Sequence, residues 1–306
     1  MRTRRLGSEG PEVSVVGLGC NNFGGRVDLA GTRAVVDAAL EAGVTLFDTA
    51  DIYGGGGGSE RFLGEVLEGR RDRVLLATKF GGDMGDGTEA RGSREYIRKA
   101  IDWSLERLRT DYVDLYQYHH PDGVTPLEET FGALDELVRE GKARYVGHSN
   151  LQPAQIEEVD ALAREHGWAR PVSAQNRYSL LYRDAEDELL PVCERLGLGF
   201  LPYFPLASGL LTGKYRRGEE RPQGTRLSAR DDVFTDETFD QLEALEAYAA
   251  EQDVSLLQVA IGGLLAQPAV SSVIAGATKP DQVRANVAAA EWEPSRSDLA
   301  PVDSLR

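Results

Sequence analysis

Short runs rich in β-branched residues alternate with longer segments of helical period along nearly the whole chain. This alternation is typical of repeated strand and helix units, and it predicts an α/β fold with a parallel sheet. Eight strands are predicted, each followed by a helix or by a loop that leads to one. They cover residues 13–19, 44–48, 73–79, 112–119, 143–149, 171–176, 198–204 and 270–276.

The segments between these strands carry the start and stop signals of helices. The segment from Thr32 to Gly43 ends at a glycine, which is common just past the last turn of a helix. The segment 93–109 begins with a serine cap, and the segment 125–141 has a proline at its first helical position. Eight strands with such helices predict a (β/α)8 TIM barrel.

Three stretches fall outside these repeated units. The first dozen residues are predicted to form a short β-hairpin, and the last dozen, which are polar, an extended tail. Residues 213–238 form the longest irregular segment, and a loop of that length in a compact domain is usually functional. No long linker interrupts the chain, so residues 1–306 are predicted to form one domain.

A doubly wound sheet with a dinucleotide fingerprint is the competing α/β arrangement. Residues 17–22 read G-x-G-x-x-N, so the third glycine of that fingerprint is missing. The acidic residue Asp48 follows Gly19 by 29 positions, whereas the fingerprint has about 20. The barrel is therefore the preferred interpretation.

Composition excludes several classes of function. The 306 residues have a formal net charge of −16, which would repel the phosphates of a nucleic acid. No apolar run is long enough for a membrane span, and no secretory signal is recognisable, so no membrane partner and a cytoplasmic location are expected. The two cysteines, Cys20 and Cys193, lie far apart, and no histidine has the spacing of a metal ligand. No metal site is therefore expected.

Reactive side chains stand where predicted strands end, and in a barrel these ends form the active-site face. The second strand ends in Asp48 with Tyr53 just beyond it, the third in Lys79 and the fourth in His119. An ammonium beside a phenol lowers its pKa, a carboxylate holds the ammonium, and an imidazole can orient a carbonyl. Singly, each residue also has a structural explanation, such as a turn cap, a packed aromatic or a salt bridge. Their joint position predicts proton transfer.

Several segments occur in order from the second strand to the last helix. They are FDTADIYG (47–54), LATKF (76–80), VDLYQYHHPD (113–122), GHSN (147–150), PYFPLASGLLTGKY (202–215) and IAGATKPDQVRANVAA (274–289). Together they resemble the aldo-keto reductase family over nearly the whole chain. The resemblance implies hydride transfer between a nicotinamide cofactor and a small aldehyde or ketone. It also implies that Tyr53 is the general acid, that Asp48 and Lys79 tune its acidity, and that His119 positions the carbonyl.

The same resemblance implies the residues that bind the cofactor. Ser149, Asn150 and Gln175 correspond to ligands of the carboxamide, and Tyr203 corresponds to the aromatic ring that stacks on the nicotinamide. Phosphate groups are expected near the last strand and the helix that opens near residue 280, where free N–H groups favour an anion. The candidates there and in the long loop are Leu206, Ser208, Lys214, Gly276, Thr278, Lys279, Gln282 and Asn286.

The five successive glycines 54–58 follow Tyr53 directly. A phosphate cradle would need a helix start with N–H groups aimed at an anion, and the phosphate candidates lie elsewhere. The glycines are predicted instead to form a flexible turn of small residues, leading to Ser59 as the cap of the next helix.

Some features leave alternatives open. His119 is preferred to His120 because it is in phase with Gln117 along the strand. The resemblance and Lys279 favour NADPH as the cofactor. NADH is the alternative, because Gln282 stands where many relatives carry an arginine for the 2′-phosphate. A redox-sensing subunit that binds cofactor with little turnover and a Schiff-base aldolase that uses Lys79 are the competing functions. Both a monomer and a homo-oligomer fit the acidic surface.

Overall fold

The computed structural model describes residues 1–85, 87–228 and 230–304. Asp86, Ala229, Leu305 and Arg306, which fall in the predicted loops and tail, lie outside the described residues. The strands are β1 (Thr3–Arg5), β2 (Glu12–Ser14), β3 (Val16–Gly19), β4 (Leu46–Asp48), β5 (Leu75–Phe80), β6 (Val113–Tyr118), β7 (Ala143–Ser149), β8 (Ser173–Gln175), β9 (Gly199–Phe200) and β10 (Val273–Gly276).

Helices follow most of these strands and cover the outside of the sheet. They are α1 (Leu29–Glu41), α2 (Gly58–Val66), α3 (Arg94–Leu108), α4 (Leu127–Arg139), α5 (Pro153–His166), α6 (Leu189–Leu196), α7 (Asp236–Glu251), α8 (Leu256–Leu265), α9 (Pro280–Ala289) and α10 (Ala300–Asp303). In the described part of the chain, none of them has both the length and the apolar character that a membrane span requires.

The sheet of β3 to β10 is parallel throughout, with β10 beside β3 and each later strand beside its predecessor. Phe200 bridges to Val270, and its carbonyl accepts a hydrogen bond of 3.0 Å from Ser271 N, which closes the ring ahead of β10. The strands β1 and β2 form an antiparallel hairpin. The predicted (β/α)8 barrel with an N-terminal β-hairpin is therefore confirmed.

The barrel interior is a separate apolar core from the layer between sheet and helices. Leu6 and Val13 of the hairpin are fully buried and pack with inward residues such as Leu115 and Leu201. Ser14 N donates to Thr45 Oγ1 just ahead of β4, so the hairpin covers the N-terminal ends of the strands. The opposite, C-terminal end is left for a functional site.

Two of the predicted boundaries differ from the structure for clear physical reasons. The strand 13–19 divides after Ser14, because its first part pairs with β1 and only Val16–Gly19 enters the barrel. The first helix begins at Leu29 rather than Thr32, since Asp28 caps it by accepting a 2.8 Å hydrogen bond from Gly31 N.

The predicted extended tail contains the short helix α10 instead. Its Val302 is buried against the apolar core, and Arg183 donates to the Val302 carbonyl at 2.9 Å. Apolar contact and this hydrogen bond offset the cost of ordering the segment.

His148 of β7 is fully buried near Phe131 of α4, and within the described residues neither ring nitrogen has a hydrogen-bond partner. Burial lowers the pKa of His148 to about 3. The folded protein therefore holds the imidazole neutral, while the unfolded chain takes up a proton below about pH 6.5. The free energy of unfolding therefore decreases as the pH falls from about 6.5 toward about 3.

We expect His148→Val to raise the free energy of unfolding by about 1 kcal/mol at neutral pH, because an unsatisfied buried polar group is removed. Below about pH 6.5 the difference in the free energy of unfolding between His148→Val and wild type should widen by roughly 1.4 kcal/mol per pH unit, since only the wild-type unfolded chain gains this proton. Denaturant unfolding at a series of pH values measures both effects. His166→Gln, at an exposed imidazole, is the control, and parallel pH dependences of His148→Val and wild type would contradict the expectation.

Candidate active site

The C-terminal ends of neighbouring strands bring the predicted reactive residues together. Asp48 ends β4, Lys79 lies next to the end of β5, and His119 directly follows β6. Lys79 is in register with Gln117, and Gln117 with Gly147, so inward positions on three strands lie side by side. The site is therefore built on the rigid sheet.

Asp48 and Lys79 form a buried ion pair, with Asp48 Oδ2 2.6 Å from Lys79 Nζ. Lys79 also donates to the carbonyl of Thr49 at 2.8 Å. The other carboxylate oxygen, Asp48 Oδ1, accepts from Gln117 Nε2 at 3.2 Å and from Gln175 Nε2 at 3.0 Å. Burial opposes the charge on Lys79, but the attraction of Asp48 and Tyr53 together outweighs it and raises the pKa of the amine. Lys79 is thus an ammonium at neutral pH.

Tyr53 lies above this pair, partly exposed at the mouth of the barrel. Lys79 Nζ is 5.1 Å from the centre of its ring, and the ring meets that of His119 edge to face with 5.8 Å between centres. Lys79 lowers the pKa of Tyr53 as expected, but the packed protein around the phenol raises it by more, so the net direction is upward. The expected lowering is therefore corrected, and Tyr53 keeps its proton at neutral pH.

His119 is buried, and its pKa lies well below the usual value because of burial and the nearby charge of Lys79. Its Nδ1 has no hydrogen-bond partner among residues 1–85, 87–228 and 230–304. His120 stacks on it at 4.4 Å between ring centres but is exposed. Of the two, His119 is the one that lies beside Tyr53, as a neutral imidazole.

The glycine run forms a turn that other residues would strain. Gly54, Gly55, Gly56 and Gly57 have φ values of 70°, 73°, 80° and 87°, in the left-handed region that disfavours L side chains. A Cβ on Gly57 would lie 2.4 Å from the Cδ atom of Arg107. The predicted turn is present, but α2 begins at Gly58 with Gly57 as its N-cap.

Ser59 therefore does not cap the helix, and that prediction is wrong. It lies inside α2, where its hydroxyl donates to the carbonyl of Cys20 at 2.9 Å and accepts from Thr49 Oγ1 at 2.8 Å. These bonds fix α2 to the ends of β3 and β4. The turn after Tyr53 is consequently held at both ends.

Four of the residues assigned to the nicotinamide end of the cofactor are connected to one another. Asn150, in a left-handed conformation with φ 61°, accepts from Tyr203 Oη at 2.9 Å and donates to the carbonyl of His119 at 2.9 Å. Ser149 Oγ donates to the carbonyl of Gln175 at 2.7 Å. The amide nitrogen of Gln175 donates to Asp48, so this residue also supports the ion pair.

The residues assigned to phosphates lie around the start of α9 and the segment after β9. Lys279 is the N-cap of α9 and has no side-chain cap bond, while Gln282 Oε1 accepts from Thr278 N at 2.7 Å. A cleft between α9 and the turn after β3 is lined by Gly24, Arg26, Phe62, Gly224, Thr278 and Lys279. Burial and the charge of Arg26 lower the pKa of Lys214. Lys214, at the start of the long loop, therefore lies in the same region as Arg26. Gly276 ends β10, Asn286 is buried on α9, and Leu206 and Ser208 follow β9.

Sequence reasoning missed two arginines at this mouth. Arg226 Nη2 donates to Asn21 Oδ1 at 3.1 Å and to Asn22 Oδ1 at 2.9 Å, and Arg26 donates to the carbonyl of Gly224 at 3.0 Å. Within the described part of the chain, neither forms an ion pair, and the same holds for Lys214 and Lys279. No signal in the sequence marks these two arginines, because the lack of a carboxylate partner is visible only in the folded chain.

Gln117 was also missed as a contributor to the site, although its phase with His119 was visible in the sequence. No cluster of metal ligands accompanies these residues: within the ranges that the structure describes, no three His, Cys, Asp or Glu side chains come together to hold an ion.

Comparisons with known proteins agree with this geometry. Residues 15–306 match the aldo/keto reductase family. The chain is 36% identical to a probable voltage-gated potassium channel subunit beta of Oryza sativa subsp. japonica, over 96% of this chain and 92% of the relative. It is 35% identical to L-glyceraldehyde 3-phosphate reductase of Escherichia coli (strain K12), over 99% and 92%. It is 38% identical to the uncharacterized oxidoreductase YrpG of Bacillus subtilis (strain 168), over 94% and 90%. The chain belongs to the aldo/keto reductase family.

Proposed function

We propose that residues 1–306 form one catalytic domain that reduces an aldehyde or ketone, or oxidises the corresponding alcohol, with Tyr53 as the general acid or base. One observation carries the proposal. A neutral phenol lies at the mouth of the barrel, with its ring centre 5.1 Å from a buried ammonium that is itself held by a carboxylate. This is the arrangement needed to deliver a proton and to stabilise the phenolate that remains.

The chain's own residues have separable roles in this proposal. Tyr53 Oη gives its proton to the carbonyl oxygen, and the positive charge of Lys79 stabilises the phenolate as it forms. Asp48 holds Lys79 charged, and Gln117 and Gln175 hold Asp48 through its second oxygen. A neutral His119 can hydrogen-bond the carbonyl oxygen without adding a charge that would compete for the proton.

A reduced nicotinamide dinucleotide would supply the hydride. The residues present fit such a group, because the mouth of the barrel holds cations without carboxylate partners among the described residues. Lys214, Lys279, Arg26 and Arg226 would meet its phosphates, because charge-assisted hydrogen bonds to an anion are stronger than neutral ones. Ser149, Asn150, Gln175 and Tyr203 would hold the nicotinamide end, and Leu206, Ser208, Gly276, Thr278, Gln282 and Asn286 would line the remainder.

Two competing functions are less favoured. A Schiff-base aldolase needs a neutral amine as nucleophile, whereas Asp48 keeps Lys79 protonated. A cofactor-binding subunit with little turnover has one argument in its favour, the 36% identity to a relative named as a potassium channel subunit. The complete proton-transfer set argues for catalysis, because a binding subunit has no need of a buried ammonium beneath a phenol.

The test is loss of reduced-cofactor absorbance with a panel of aldehydes, ketones and sugars, including a phosphorylated aldehyde because one relative is named for such a substrate. Turnover of at least one carbonyl is the expected result. Tight cofactor binding without turnover on any member of the panel would favour the subunit, and borohydride trapping of a carbonyl on Lys79 would favour the aldolase.

We expect NADPH to be preferred to NADH because Lys279 can meet the extra phosphate. Asp281, which would oppose this, is paired with Arg284 at 3.0 Å. Lys279→Ser should raise the KM for NADPH by about tenfold, the equivalent of roughly 1.4 kcal/mol, and leave the KM for NADH nearly unchanged. Lys99→Ser, on the exposed face of α3, is the control. A wild-type preference for NADH would contradict the assignment.

A further inference from the structure

A second buried polar cluster lies behind the Tyr53 turn, on the side away from the barrel interior. Glu60 of α2 is fully buried, and its two oxygens accept from Thr78 Oγ1 at 2.5 Å and from Arg107 Nε at 2.6 Å. The guanidinium of Arg107 reaches Glu60 through the space left by the missing side chain of Gly57. The cluster therefore touches the far end of the turn that begins at Tyr53.

Asp51 lies at the near end of that turn, and the charges of both Glu60 and Arg107 act on it. Its residue is only 2% exposed, and in the part of the chain that the structure describes its Oδ1 has no hydrogen-bond partner. The backbone N–H of Asp51 donates to the carbonyl of Lys79 at 3.1 Å. This bond ties Asp51, which lies two residues before Tyr53, to β5. Asp51 is thus a buried carboxyl whose backbone is linked both to Lys79 and to Tyr53.

Charge counting indicates the state of this carboxyl. Arg107 is the cation nearest to Glu60 and is already paired with it, so an ionised Asp51 would add an uncompensated buried charge. Tyr116, whose buried hydroxyl also lacks a partner among the described residues, is a further neighbour and offers no charge. The titratable groups facing Asp51 and its neighbour Tyr116 are Glu60 on α2, Arg107 and Tyr96 on α3, Lys79 on β5 and Tyr116 on β6.

We propose that Asp51 is a positioning residue for Tyr53, which keeps the turn 51–57 closed over the Glu60–Arg107 pair while it is protonated and displaces that turn when it loses its proton. The inference rests on the proposed function for its kinetic consequence, but the movement of the turn does not. An ionised Asp51 must approach solvent or Arg107, and its backbone carries Tyr53 away from the carbonyl position.

The pH range of this effect follows from the surroundings. Burial, and to a smaller extent the charge of Glu60, raise the pKa of Asp51 to about 7. A folded-state pKa above the unfolded value of about 3.9 means that the native protein holds the extra proton between these values. Stability from this group is therefore complete below about pH 4 and is lost as the pH rises toward about 7. Tyr53 is displaced above about pH 7.

The experiment compares wild type with Asp51→Asn, a neutral isostere, and with Asp111→Asn, an exposed carboxylate remote from the site, as the control. Hydrogen exchange of the peptide 47–61, corrected for the intrinsic pH dependence, reports on the turn without turnover. Protection in wild type and Asp111→Asn should fall between about pH 6 and pH 8.5, while Asp51→Asn keeps it. The unfolding constant of wild type relative to Asp51→Asn should rise by up to about tenfold per pH unit between about pH 4 and pH 7.

The kinetic readout is kcat with NADPH and 4-nitrobenzaldehyde as the probe. In wild type kcat should fall at least about threefold between pH 6 and pH 8.5, with KM little changed. In Asp51→Asn this decrease of kcat should be absent. Glu60→Gln, which leaves Arg107 free to pair with Asp51, should shift the midpoint to lower pH. Equal pH dependence of exchange and of kcat in wild type and Asp51→Asn would overturn the proposal. Exchange that responds as expected, with no member of the carbonyl panel turned over by wild type or any variant, would support the turn movement and reject the proposed function alone.

Discussion

Tyr53→Phe should lower kcat for carbonyl reduction by about 10²- to 10⁴-fold, the usual contribution of a general acid. The substitution removes one oxygen, and that oxygen is the proton donor of the proposed mechanism. The ring remains, so its edge-to-face contact with His119 is kept. Because Tyr53 is partly exposed, little change in the free energy of unfolding is expected.

The measurement is kcat and KM with NADPH and the carbonyl that wild type turns over best, together with the Kd of NADPH from fluorescence. Tyr248→Phe is the matched control, since its hydroxyl donates to the Asp298 carbonyl at 2.8 Å far from the site. An unchanged Kd with a large loss of kcat is the expected pattern. Retention of most of the activity would identify another group as the acid.

The part of the site that lies on strands was predictable from the sequence. In a parallel barrel the strand ends converge, so Asp48, Lys79 and His119 had to lie close together once the strands were identified. Alternation along β6 also distinguished His119 from His120. The net direction of the Tyr53 pKa was not predictable, because it depends on how much protein packs around the phenol, and burial there outweighs the ammonium.

The part of the site that lies on loops was not predictable. Arg226 meets Asn21 across 205 positions of sequence, and no period or spacing relates the two. The left-handed turn at Gly54 to Gly57 is permitted by glycine but not required by it, because glycine adopts either sign of φ readily. Asp51 looked like an ordinary loop carboxylate, and only its burial beside Glu60 sets it apart.

Lys79→Met should lower the free energy of unfolding by about 3–5 kcal/mol, which is the usual cost of breaking a buried ion pair from one side. Methionine fills much of the same space, but it leaves Asp48 buried without its ammonium. Gln117 and Gln175 still donate to Asp48 Oδ1, so the loss should lie toward the lower end of this range. The same variant should lower kcat by at least about 10²-fold, because no charge remains to stabilise the Tyr53 phenolate.

A double-mutant cycle separates the two effects. Asp48→Asn combined with Lys79→Met removes both charges, and the amide can still accept a hydrogen bond from Gln117 or Gln175. The double variant should therefore recover most of the lost stability in denaturant unfolding, while kcat stays as low as in Lys79→Met. Recovery of kcat along with stability would mean that Lys79 acts only by holding the fold, and that the phenolate is stabilised by some other group. Stability and activity diverge in the cycle only if the ammonium acts on Tyr53 directly, because the packing around the pair is nearly the same in both variants.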